Sequence, residues 1–161
     1  MLNRFTVVGI SKDIRQRKFI SSRQKALINI LYTYGWALER IKSILSLYDL
    51  THHQFNILRI LRGSYPHPLS TLQIRQRMLD KMSDTSRIVD RLVIKGMLQK
   101  KVSHIDKRLV DILITEKGQA VLKEIDRGPD VVLSVMNNVS EDEMEQLSNL
   151  LDRIRSSEKN A

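Results

Sequence analysis

Residues 83–118 read SDTSRIVDRLVIKGMLQKKVSHIDKRLVDILITEKG, and the period of the apolar residues changes within them. Ile88, Val89 and Leu92 recur at helical spacing, while Asp84, Arg87 and Arg91 share a different, polar face. Gly96 stands where a helix would end on a C′ glycine. Beyond it the period is two: Leu98, Lys100 and Val102 alternate with Gln99 and Lys101, and Val110, Ile112 and Ile114 alternate with Asp111 and Leu113. The stretch predicts a helix, a glycine stop and a basic β-hairpin, with His104 to Arg108 as the loop between the strands.

Just upstream, Ser70-x-x-Gln73 flanked by Leu69 and Ile74 is a capping box with a hydrophobic staple, so a helix starts at Ser70 and runs to Met78. Leu79 to Met82 is a four-residue turn, and Ser83 is the expected N-cap of the next helix. By spacing this is a helix-turn-helix followed by a hairpin.

That order resembles the recognition helix and wing of the MarR (multiple antibiotic resistance regulator) family of winged helix-turn-helix regulators. Asp106-Lys107-Arg108, ten residues after Gly96, matches the family's D-(K/R)-R wing motif, and Thr115-Glu116-Lys117-Gly118 matches a common strand-to-helix junction. The resemblance covers roughly Leu27 to Ile154 and is strongest from Leu69 to Gly118. Two residues depart from it: Arg75 stands where the family has a small residue, and Leu79 where it has a glycine or another turn residue.

Composition narrows the alternatives. A chain of 161 residues with 42% apolar residues can bury a core as a single domain. It holds no run of 18 apolar residues, and MLNRFTVVGI at residues 1–10 is too short and too interrupted for a secretory h-region, so a cytoplasmic protein without a membrane partner is expected. The absence of cysteine excludes disulfides, thiolate catalysis, thiolate metal sites and cysteine-based peroxide sensing. The net charge of +9 is unevenly spread: +8 over residues 1–70, +6 over 71–108 and −4 over 116–161. Such a gradient suits a molecule that meets a polyanion with one face and protein with the other.

Elsewhere the pattern is helical. Residues 1–22 form a basic N-terminal arm, within which Phe5 to Ile10 could be a short strand. From Arg23 to Tyr48, Leu27, Leu31, Tyr34, Leu38, Ile41, Leu45 and Tyr48 are spaced alternately by four and three, an a/d seam that calls for a partner along its length. Trp36, a lone tryptophan on this helix, is expected in the core. Capping boxes also start helices at Thr51 (with Gln54) and Ser140 (with Glu143). The helix from Thr51 should stop at Gly63, before the Tyr65-Pro66-His67-Pro68 loop, and Pro129 should break the helix begun at Glu116. The expected architecture is mainly α with a small antiparallel β wing. Residues 49–115 form the winged helix-turn-helix, and 23–48 with 116–161 form a helical dimerisation lobe, integrated into one domain.

The chemistry expected is contact with double-stranded DNA. Ser83, Thr85 and Ser86 can offer hydroxyls and backbone amides to phosphates, and Arg87 and Arg91 can reach base edges or backbone. Asp84 and Asp90 would orient those arginines, or Asp84 would accept from cytosine; Lys100, Lys101 and Lys107 are phosphate ligands carrying no sequence information. The resemblance implies that Arg108 enters the minor groove, held by Asp106, and that the protein is a homodimer on a pseudo-palindromic site, by family habit a repressor. It further implies a crevice for a small aromatic or anionic effector, which Tyr32, Trp36, Tyr48, His52, His53 and Phe55 would line. His52 and His53 are adjacent and cannot chelate as an i, i+4 pair would, so neither a metal nor a cofactor is expected. No catalytic constellation stands out and an enzyme is not expected. The competing reading is a winged-helix module that docks protein or binds RNA by shape.

Overall fold

The computed structural model describes residues 9–102, 110–128 and 135–156. Its elements are α1 (Ile10–Asp13), α2 (Ser22–Ser46), α3 (His52–Ser64), α4 (Thr71–Arg77), α5 (Thr85–Ile94), β1 (Leu98–Val102), β2 (Val110–Ile114), α6 (Glu116–Arg127) and α7 (Glu141–Ser156). The two strands pair antiparallel, Leu98 opposite Ile114 and Lys100 opposite Ile112. Leu69 adds one further rung, exchanging backbone hydrogen bonds with Ile112 at 3.1 and 2.9 Å, so the chain before α4 is tied to the hairpin. The fold is mainly helical with a two-stranded wing, as the periodicities predict.

Helix starts follow the capping chemistry. At Thr51 and Ser70 the hydroxyl accepts the N3 amide while the Gln54 or Gln73 side chain accepts the cap's own N–H. Ser140 and Glu143 make the same exchange, and the Glu143 carboxyl is held below the usual range first by the Ser140 backbone N–H and then by the Ser140 hydroxyl, which donates to it at 2.9 Å. Ser83 departs from its expected role: the N-cap of α5 is Asp84, whose carboxylate accepts the Arg87 N–H at 3.2 Å. At the N-terminal end, residues 1–8 lie outside the described residues; Gly9 is extended and Ile10 begins a helical turn rather than ending a strand. The helix from Glu116 ends at Arg127 with Gly128 as its cap; Pro129, where the break was expected, lies outside the described residues.

The core is one cluster centred on α3, which packs on α2, α4, α5, α6 and β2. Ile57, Leu58 and Leu61 of α3 meet Leu45, Ile74, Val89, Leu92, Ile112 and Leu122, all essentially inaccessible. The seam of α2 is unevenly used. Leu45 is buried and Ile41 and Tyr48 pack on the core, but Leu27, Leu31 and Tyr34 are 57, 63 and 62% exposed. Trp36, expected in the core, is 42% exposed, because it stands off the Ile41, Leu45 and Tyr48 stripe that packs on the core. Leu147 and Leu150 of α7 are exposed as well.

Candidate nucleic-acid interface

The glycine turn after α5 aims the hairpin. Gly96 has φ +71°, the left-handed conformation that lets Met97 donate back to Leu92 at 3.0 Å. The start of α6 locks this turn: Thr115 Oγ1 donates to Gly96 O at 2.8 Å, Lys117 Nζ to Lys95 O at 2.8 Å and Thr115 N–H to Met97 O at 3.0 Å. Gly118 sits so close that a Cβ there would lie 2.4 Å from Met97 O and 2.8 Å from Ile114 Cγ1. The Thr-Glu-Lys-Gly junction therefore fixes α5, the hairpin and α6 as one body.

On α5, Val89 and Leu92 are fully buried, which turns Ser86, Arg87, Asp90 and Arg91 outward. Arg87 Nε lies 3.2 Å from Asp84 Oδ2, whereas Arg91 makes no ion pair among the described residues. Asp90 pairs with Lys100 of β1 rather than with an arginine of its own helix, bracing the wing against the helix. Lys101 is exposed. Thr85 corrects the sequence reading: it is 4% exposed and its hydroxyl donates to Met78 Sδ at 3.3 Å, inside the α4–α5 angle, where no phosphate can reach it. The Ser83 hydroxyl is likewise engaged, donating to Asp80 O at 2.9 Å. His104, Asp106, Lys107 and Arg108 lie outside the described residues.

The α4–α5 turn shows residues that sequence reading passed over. Leu79 and Met82 are both 91% exposed, so the turn lacks the ~1.5–3 kcal/mol that a buried side chain of that size supplies. Polar contacts from α3 and within the turn hold it instead. Leu79 N–H donates to Asn56 Oδ1 at 3.1 Å, His53 Nε2 lies 3.0 Å from Asp80 Oδ2, and Met82 N–H donates to Asp80 Oδ1 at 2.9 Å. The Asp80 carboxyl is held below the usual range, first by the Met82 amide and then by His53. Arg75 Nε reaches Lys81 O at 3.4 Å, a use for the bulky residue of α4. Only the Asp80 to Ser83 spacing hints at this network in the sequence.

The expected effector residues are not gathered. An open groove of about 600 Å³ on α2 is lined by Tyr32 and Trp36 with Leu31, Gly35, Glu39, Arg40 and Ser43, and the Arg40 guanidinium stacks 4.6 Å from the Trp36 ring centre. Tyr48 and Phe55 instead pack against the core, and His52 and His53 stack with ring centres 3.8 Å apart. Adjacent on the helix, the two rings nevertheless face each other. Burial, and after it the charges of His53 and Lys42, push the His52 imidazole below its ordinary value.

The family model described as MarR family matches residues 50–110, from the cap of α3 to the second strand. Over that segment the chain is similar to the MarR family. MgrA of Staphylococcus aureus, an HTH-type transcriptional regulator, is 27% identical over 110 residues, 66% of this chain and 71% of its own. A mutant E. coli MarR solved in complex with operator DNA superposes with a TM-score of 0.71 at 24% identity, over 78% of this chain and 89% of that one. BpsR of Bordetella bronchiseptica, whose DNA binding is regulated by 6-hydroxynicotinic acid, superposes with a TM-score of 0.73 at 18% identity, over 86% and 97% of the two chains. The proteins that the chain resembles here are transcription regulators, one of them solved on operator DNA. None of its described helices is long and apolar enough to cross a membrane.

Proposed function

We propose that this chain is a MarR-family transcription regulator, a cytoplasmic repressor that grips a pseudo-palindromic duplex as a homodimer. Residues 49–115 would read the DNA, and residues 23–48 with 116–161 would hold the two copies together. The outward, basic face of α5, braced against the hairpin by Asp90 and Lys100, carries the reading. Ser86, Arg87 and Arg91 would meet the major groove, Lys101 the phosphates, and Arg108 the minor groove. The apolar residues that α2 and α7 leave exposed support a second copy as their cover. Release by a small aromatic or anionic effector is the weaker part; it is supported by the regulation of BpsR and by the Tyr32–Trp36 groove.

The test is retention of genomic duplex fragments by the purified chain, followed by titration of a retained site. Affinity should fall steeply with salt and exceed that for random duplex by about a thousandfold or more. Equal affinity for the two duplexes would instead favour a protein- or RNA-docking winged helix.

A further inference from the structure

The α4–α5 turn leads the chain into α5, and it is fastened to α3 by two side chains. Asn56 takes the Leu79 amide, and His53 takes one oxygen of Asp80 while the other oxygen closes the turn on Met82. With Leu79 and Met82 exposed, no apolar packing at those two residues backs up these bonds.

We propose that His53 and Asn56 are positioning residues for operator recognition, and that the His53–Asp80 contact tightens this clamp when His53 is protonated, so that operator affinity rises on acidification. The proposal rests on the DNA-binding reading above. Neither residue lies on the outward face of α5, so each would act through the turn.

The groups around His53 support the direction. It faces the stacked His52 on its own helix and Asp80 from the turn, with Lys42 of α2 acting on His52. Asp80, held low, is a carboxylate wherever histidines titrate, and His52, pushed down by burial, stays neutral to lower pH. Protonating His53 opposite an ionised Asp80 turns a neutral hydrogen bond into a charge-assisted one.

The experiment compares the full-length wild type with Asn56→Ala, His53→Gln and Asp80→Asn. The probe is a duplex selected by the wild type from random-sequence oligonucleotides, with unselected duplex as control, titrated by fluorescence anisotropy from about pH 8 to about pH 6. Asn56→Ala should bind the selected duplex about three- to tenfold more weakly, and the unselected duplex about as well as wild type. The wild type should gain at least about threefold more affinity on acidification than His53→Gln, because glutamine keeps a hydrogen bond but cannot take the charge. Asp80→Asn should flatten the profile in the same way and serves as the check if Asn56→Ala does not fold. Superimposable pH profiles for wild type and His53→Gln, or a folded Asn56→Ala that binds as tightly as wild type, would overturn the clamp. A wild type that selects no duplex would remove the DNA-binding reading itself.

Discussion

Arg91 and Thr85 lie within two turns of one helix and face opposite environments. The polar character of both made them equal candidates for DNA contact in the sequence, yet one is exposed and the other 4% accessible with its hydroxyl on Met78 Sδ. Arg91→Ala should therefore weaken binding to a selected duplex by about 1–3 kcal/mol, while Thr85→Val, nearly isosteric and hidden, should leave that affinity within about twofold. Anisotropy titration of the two variants checks the assignment; a larger loss for Thr85→Val would place the DNA on the wrong face. A threonine reads as polar from its formula, and only its neighbours decide whether the hydroxyl turns inward.

Among the elements, the junction of β2 with α6 has the least slack. Its sequence, Thr115 to Gly118, was recognisable as a helix start, but the reason for the glycine was not. The space for a Cβ is taken by the Met97 carbonyl at 2.4 Å and by Ile114, and these are brought there by hairpin pairing between residues far apart in the chain. Gly118→Ala should lower stability by about 1–3 kcal/mol, read as a reduced thermal midpoint, because backbone must shift to admit the methyl group. An unchanged midpoint would mean that the contact is looser than its geometry. Capping boxes behave differently: cap and partner are three residues apart, so the boundaries at Thr51, Ser70 and Ser140 could be read directly.

For the whole molecule, the uneven burial of α2 is the decisive fact. Its seam runs unbroken through the sequence, but the single chain covers only the end near Leu45, leaving Leu27, Leu31 and Tyr34 open together with Leu147 and Leu150 of α7. If a second copy covers these residues, Leu31→Lys combined with Leu147→Lys should convert a dimer mass into a monomer mass in light scattering while preserving helical content, since neither side chain belongs to the core cluster. A wild-type chain that is already monomeric at micromolar concentration would refute the homodimer. What the sequence determined by itself was the order of elements, the caps, the glycine stop and the basic hairpin, because each depends on residues a few positions apart. The tertiary structure alone decided which hydroxyls are hidden, that Asp90 braces Lys100, that the presumed effector aromatics scatter, and that α3 reaches across to hold the α4–α5 turn through His53 and Asn56. These depend on distances between residues separated by 7 to 27 positions, which no local period encodes.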